Sequence, residues 1–389
     1  MKFKEIQLGN LFEAKYGKSL PKNQRRDGNI KVYGSGGISG YHDTALVKGP
    51  GIVIGRKGTV GSLYYEKQDY FPIDTTYYIE KSDKYDLKYI FYLLNTLNLN
   101  KMNTHSAVPG LNRENLYSLM AKVPEKKYQI KISEFLQQLD SKIEINNQII
   151  SNLEELASTL FKRWFVEFEF PDENGNPYKS SGGKMVDSEL GKIPEGWEAT
   201  SLSDIANYKN GLAMQKFRPD EDEESLPVLK IKELNQGFTD SNSDRCSIDI
   251  SDEVKIENGD VVFSWSGTLL VKIWTGGDAG LNQHLFKVTS NKFPKWYYYL
   301  WTKFYMNKFI GIAKDKATTM GHIKRQHLNE AKVLIPSIDM LEKFGKVLGP
   351  TIDMVTEKGI ENLELSNLRD SLLPKLLSGE IELPEDEEV

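Results

Sequence analysis

Residues 132–164, ISEFLQQLDSKIEINNQIISNLEELASTLFKRW, decide the architecture. Ile132, Leu136, Leu139, Ile143, Asn146, Ile150, Leu153, Ala157, Leu160 and Trp164 follow alternating steps of four and three, the apolar seam of a coiled-coil helix. A straight helix from Ile132 to Phe165 reaches about 50 Å at ~1.5 Å per residue, and its seam needs a partner. Asn146 is costly in a lone core helix; it either fixes register in a helix pair or reaches solvent at a crossing. The natural partner lies in a second helical stretch, where Leu341, Phe344, Leu348, Ile352, Val355, Leu363, Leu372 and Leu376 are helically spaced. Gly349-Pro350 predicts a break there, with a short helix before Pro350 and a long one after it, because proline lacks the N–H and clashes with the preceding turn. Packed antiparallel, two such helices would hold a globule at each end.

The region before each helix says the same thing twice. Leu8, Gly17, Gly58-Thr59, Tyr89, Leu93, Leu116 and Pro124 reappear in order as Leu202, Gly211, Gly267-Thr268, Trp296, Leu300, Leu328 and Pro336. The chain therefore parses into a globule at 1–124, a helix at 125–170, a linker at 171–190, a second globule at 191–336, a helix at 337–380 and an acidic tail at 381–389. The linker, rich in Gly, Ser, Asn and Pro, reads as reach alone. In each globule short apolar runs at 51–54 and 77–79, or 261–263 and 285–288, alternate with glycine turns, and a helix follows near 87–97 or 296–309. The predicted fold class is α+β, with two pseudo-repeated α/β domains separated by two long antiparallel, coiled-coil helices.

The net charge of −5 hides an asymmetry. Residues 1–124 hold 18 Lys and Arg against 11 Asp and Glu, and residues 287–336 hold 10 against 2, whereas both helical stretches are net acidic. Basic globules on acidic helices divide the labour: globules meet an anion, helices meet protein. No run of 18 apolar residues and no secretory pattern is present, so the expected location is cytoplasmic. The single cysteine, Cys246, excludes an intrachain disulfide framework and a zinc knuckle.

Three segments of the first globule suit DNA. Lys15, Lys18, Lys22, Arg25 and Arg26 form a basic stretch for phosphates, which gives affinity without sequence information. The glycine-rich run from Tyr33 through Ser35 to Tyr41 differs from a dinucleotide loop, since no helix pattern follows it. Arg56, Lys57 and Thr59 sit on a glycine loop that brings backbone close to a ligand, and Arg can grip guanine bidentately. The second globule offers Trp265, Ser266 and Thr268 in the equivalent loop, with Lys209, Lys216 and Arg218 as basic candidates; Trp265 is equally a core residue in this reading. His284 aligns with Thr76 beside Gln283, and Gln can pair with adenine or pack on a strand. The polar turns carrying His105 and Arg113 in one copy, and Lys316, Thr318, Lys324 and Arg325 in the other, read as backbone clamps.

Catalytic signatures are missing. No Asn/Asp-Pro-Pro-aromatic motif for a flipped adenine exists, the nearest string being Asn176-Pro177-Tyr178, and no Walker A loop is present. Glu13-Ala14-Lys15 imitates the end of a nuclease site but has no upstream Asp to complete it. His322 and His327 are five apart, the wrong spacing for metal ligands on one helical face. No catalytic, metal or cofactor site is expected on this chain.

Four motifs carry a resemblance. Tyr33-Gly-Ser-Gly-Gly-Ile with Gly40-Tyr41-His42, Gly55-Arg-Lys-Gly-Thr-Val-Gly61, Ile193-Pro-Glu-Gly-Trp197 and Leu368-Arg-Asp-Ser-Leu-Leu-Pro-Lys-Leu-Leu-Ser-Gly379 together resemble the specificity subunit of type I restriction-modification systems. The resemblance implies two target recognition domains that each read half of a split double-stranded DNA sequence, and helices that dock two methyltransferase subunits and, through them, restriction subunits. It also implies adenine N6 methylation by the partner, with S-adenosylmethionine, ATP and Mg bound on partner subunits. The change from Arg56-Lys57 to Trp265-Ser266 departs from a shared reading loop. A stand-alone coiled-coil DNA-binding regulator is the alternative reading.

Overall fold

A computed structural model describes residues 2–102, 110–315 and 321–384. The chain forms two compact units, one of residues 1–141 with 365–389 and one of residues 142–364. Each unit therefore takes part of both long helices, Lys126–Phe165 and Ile338–Ser378.

In the first unit Phe3–Gln7 pairs antiparallel with Met120–Pro124 and closes the globule. A four-stranded sheet has the order Lys15–Tyr16, Thr76–Glu80, Gly51–Gly55, Leu63–Glu66. A second sheet has the order Gly37–His42, Ile30–Gly34, Tyr70–Pro72. The helix Leu87–Thr96 starts at Asp86, whose side chain accepts from the Tyr89 N–H (2.7 Å), as an N-cap should. It buries Leu87, Ile90, Leu93 and Leu94 in the same core as Ile132 and Leu136 of the first long helix and Leu376 and Leu377 of the second. Asp140 accepts from the Arg369 guanidinium (2.9 Å) and from the Tyr92 hydroxyl (2.5 Å), so the helix pair is also pinned to the globule by polar contacts.

The second unit repeats this plan. Glu198–Ser201 pairs with Lys332–Ile335, and a sheet of order Asn207–Asn210, Leu285–Thr289, Val261–Ser264, Leu270–Ile273 matches its counterpart strand for strand. The accompanying sheet has the order Arg245–Ser247, Ser225–Leu229, Ala279–Leu281, Lys255–Ile256, and the helix Lys295–Asp315 follows. The repeated glycine has a shared cause. A Cβ at Gly17 would overlap the Ile73 carbonyl oxygen and one at Gly211 the Leu281 carbonyl oxygen, so only glycine lets the first strand meet its neighbour in either copy.

All ten seam positions of the first helix, from Ile132 to Trp164, are buried or half-buried, as are Ile352, Val355, Leu363, Leu372 and Leu376 of the second. Within each unit the helices run antiparallel: Asp140 meets Arg369 in the first, while Lys142 meets Glu361 (3.2 Å) and Trp164 stacks on Phe344 (5.0 Å) in the second.

Two expectations are corrected. The second long helix continues from Ile338 to Ser378 through Gly349-Pro350. Pro350 is exposed, whereas Phe344, Leu348 and Ile352 on the opposite face are buried. An internal proline costs ~3 kcal/mol, and burying those three side chains at roughly 1.5–3 kcal/mol each outweighs it. The segment 171–190 is folded rather than a loose tether. Asp172 accepts from the N–H groups of Asn174 and Asn176 (both 2.8 Å), Tyr178 stacks on Phe170 (4.6 Å), Phe170 stacks on Trp197 (5.4 Å), and Met185–Ser188 pairs with Gly191–Pro194. Residues 385–389 of the acidic tail lie outside the described residues.

Asn146 is fully buried, and among the described residues neither amide atom has a hydrogen-bond partner. An unsatisfied buried amide costs ~1–3 kcal/mol, and leucine keeps the same branched shape with two methyl groups in place of the amide oxygen and nitrogen. Asn146→Leu is therefore expected to raise the thermal unfolding midpoint by about 2–6 °C, read by calorimetry; a lowered midpoint would show that the amide is satisfied in solution.

Candidate nucleic-acid interface

Three segments meet at one junction in each globule. In the first, the Arg56 N–H donates to the Thr75 carbonyl (2.9 Å), the Arg56 carbonyl accepts from the Leu111 N–H (2.9 Å), and Lys57 bridges to Gly110. In the second, the Trp265 N–H donates to the His284 carbonyl (3.4 Å), the Trp265 carbonyl accepts from the Ile323 N–H (3.0 Å), and Ser266 bridges to His322. A short helix begins immediately after, at Arg113 in one copy and Arg325 in the other. The backbone thus equates Arg56 with Trp265, Lys57 with Ser266, and Arg113 with Arg325.

The same bonds correct one alignment. His284 corresponds to Thr75, and Thr76 corresponds to Leu285, since Gly55 pairs with Thr76 where Ser264 pairs with Leu285. Thr76 is fully buried with its hydroxyl donating to the Ile73 carbonyl (2.7 Å), which removes it from any surface.

The first junction is a stack of cations on tyrosine. The Arg56 guanidinium lies 5.0 Å from the Tyr16 ring centroid and 5.7 Å from that of Tyr77, and Arg113 lies 4.8 Å from Tyr16. Tyr16 is 46% exposed, so the stack is open to a ligand, and cation–π attraction favours both guanidiniums over its ring. Arg56 also donates to the Asp74 carbonyl (3.1 Å). The Tyr77 hydroxyl, donating to the Leu111 carbonyl (2.9 Å), is pushed up to about 12 by burial and then by its bond with Tyr16. Lys57 and Thr59 are exposed beside this stack.

Other candidates divide by what they touch. Lys18 and Lys22 are exposed and carry no ion pair among the described residues. Lys15 pairs with Glu80, Arg26 grips Asp43 bidentately (2.6 and 3.0 Å), and Arg25 donates to the Ser39 carbonyl (2.7 Å). Arg26 holds the Asp43 carboxyl down at about 2. The glycine-rich run forms the hairpin Ile30–Gly34 with Gly37–His42. Its Tyr33 is buried and donates to Glu66 (2.8 Å), and the Ser35 carbonyl accepts from Ser62. Burial pushes the Glu66 carboxyl up, but Lys31, the Gln68 N–H and Tyr33 together outweigh it and leave it below the ordinary range. Tyr33 therefore builds the hairpin's interior, while Ser35 is half-buried at its turn.

In the second junction Trp265 packs against Phe286 (5.8 Å), His284 (6.0 Å) and His322 (6.3 Å). Arg325 lies 5.4 Å from the Phe286 centroid and donates to the Tyr208 carbonyl (3.0 Å). Ser266 is buried with its hydroxyl 3.4 Å from His284 Nδ1, and Gln283 is half-buried. Thr268 and Lys324 are exposed at the same junction. Lys209 pairs with Glu253. Lys216 and Arg218 are exposed, and Arg218 lines a cavity of about 330 Å³ with Lys230, Asp244, Arg245 and Asn282. His105, Lys316 and Thr318 lie outside the described residues. Among the described residues no group of His, Cys, Asp and Glu could hold a metal ion, and no helix is long and apolar enough to cross a membrane.

Sequence reasoning missed Tyr16. Its signal was its place directly before the repeated Gly17, which fixes it on the strand edge where Arg56 and Arg113 converge.

Comparison with known proteins follows the same division. The family model for the type I restriction modification DNA specificity domain matches residues 1–155 and 194–365. The specificity subunit of the type I restriction enzyme MjaIX from Methanocaldococcus jannaschii is 26% identical over 311 residues, covering 77% of this chain and 70% of the relative. That of HindI from Haemophilus influenzae is 24% identical over 328 residues, covering 70% and 71%. The crystal structure of a type I restriction-modification S subunit from M. genitalium shares the fold with a TM-score of 0.61 at 16% identity, covering 99% of this chain and 97% of that one. The family match pauses inside the first long helix and resumes at the start of the second globule, so it tracks the internal repeat, and the chain belongs to the type I restriction-modification DNA specificity subunits.

Proposed function

We propose that this chain reads a bipartite double-stranded DNA target, one half-site per globule, and docks methyltransferase subunits along its two long helices. The observation that carries the reading is the junction built twice on one backbone plan with different side chains at its tip, Arg56-Lys57 in one copy and Trp265-Ser266 in the other. Two readers on one scaffold need a common frame and different contacts, since phosphates position a protein while base edges specify it. The chain supplies recognition. Methyl transfer from S-adenosylmethionine and ATP-driven cleavage with Mg belong, in this reading, to the partner methyltransferase and restriction subunits.

Docking is supported by side chains that the helix pair leaves uncovered. Ile145 and Leu156 on the first helix and Val347 and Met354 on the second are exposed apolar residues in the second unit. Ile145 and Leu156, and likewise Val347 and Met354, are separated by close to whole helical turns, so each pair lies on one side of its helix and offers apolar surface to a protein partner.

Selection from a randomised duplex library by the full chain with a methyltransferase subunit is expected to enrich two short motifs at a fixed spacing. Enrichment of one continuous motif, or of none, would contradict the reading. Ile145→Asp with Leu156→Asp is expected to abolish co-purification with the methyltransferase while shifting the unfolding midpoint little, because these positions already face solvent. Retained co-purification would place the docking surface elsewhere.

A further inference from the structure

The two junctions sort their own DNA contacts. Arg113 and Arg325 occupy the same backbone place, the first residue of the short helix that follows the bridge to the tip loop. Each lies over an aromatic ring, Arg113 over Tyr16 (4.8 Å) and Arg325 over Phe286 (5.4 Å). Neither guanidinium has an ion pair among the described residues, and Arg113 Nε is buried without a partner. The residue beside this common cation differs: Arg56 in the first copy, Trp265 in the second. A ligand feature common to both half-sites should meet the common residue, and a feature that differs should meet the one that differs. In duplex DNA the common feature is the phosphate backbone and the differing one is the base edge.

We propose that Arg113 and Arg325 are equivalent phosphate anchors in the two globules, and that Arg56 and Trp265 are the paired specificity positions. Arg56 reads a guanine through O6 and N7 in the first half-site, and the second half-site has no arginine-read guanine at the corresponding place. The assignment rests on the DNA reading above and adds which residue does which task. Tyr16 lies against both Arg56 and Arg113, and its counterpart before Gly211 is the shorter, non-aromatic Asn210. An arginine stacked on a ring loses little freedom when it makes two parallel hydrogen bonds, which suits bidentate contact with guanine.

The test combines library selection with a salt titration, using the full chain with its methyltransferase subunit. Arg113→Ala and Arg325→Ala are each expected to leave the selected motif unchanged, weaken all sequences alike, and reduce the slope of log affinity against log salt by about 0.9. Arg113→Lys and Arg325→Lys keep a point charge for the phosphate and are expected to restore that slope. Arg56→Gln is expected to cost on the order of tenfold in guanine preference at one position of one half-site, leaving the other half-site intact. A changed motif in any Arg113 or Arg325 variant, or a uniform loss with an intact motif in Arg56→Gln, overturns the assignment. If an alanine variant fails to fold, its lysine counterpart decides by the same criterion. A wild-type chain that enriches no motif overturns the DNA reading, and the assignment with it.

Discussion

Burial of the helix seam against each globule is the constraint on which the structure depends. In the first unit Ile132 and Leu136 share a core with Leu376 and Leu377, so the start of one helix and the end of the other are part of the globule's interior. In the second unit Trp164 and Phe165 meet Phe344 at 5.0 and 5.2 Å within a larger aromatic cluster that includes Trp197 and Trp296. Side chains of this size contribute several kcal/mol each on burial, and truncating one to alanine typically costs ~3–5 kcal/mol. Each globule is thereby fixed to its own stretch of helix, and each tip loop is fixed to its globule by the backbone bonds at Arg56 and Trp265.

This order of attachment explains why the variable residues can vary. The bonds that hold the tip loops come from main-chain atoms: the N–H and carbonyl of Arg56, and those of Trp265. Exchanging the side chain leaves them intact, so an arginine and a tryptophan can occupy one place without rebuilding the sheet. The glycine beneath the loop is under the opposite constraint, because at Gly17 and Gly211 a neighbouring carbonyl stands where a Cβ would be.

The seam, the repeat and the helix pair were legible because their signals are periodic or duplicated: the four-three steps from Ile132 to Trp164 persist through burial, and the paired positions from Leu8 to Pro336 share one strand order. The break expected at Pro350 was a local inference overridden by tertiary burial on the far side of the helix. The segment after Pro171 looked like a tether because its Gly, Ser and Asn residues mark turns, while the aromatic rings that fold it, Phe170, Tyr178 and Trp197, are dispersed in sequence. Tyr16 was marked only by its place before the repeated Gly17; strand pairing with Tyr77 is what sets it beside two arginines. Tyr33 and Thr76 read as surface residues in a polar context, yet both face inward, because a short strand cannot reveal which of its faces is covered.

In the proposed function, two readers on one chain direct a partner's methyl transfer to a split sequence. The most direct measurement is a genome-wide map of N6-methyladenine in cells expressing the chain with a methyltransferase subunit, compared with cells expressing either alone. A bipartite motif is expected, methylated only when both are present. No new methylation, with the same methyltransferase shown active beside a different specificity chain, would contradict it and favour a DNA-binding regulator that acts alone.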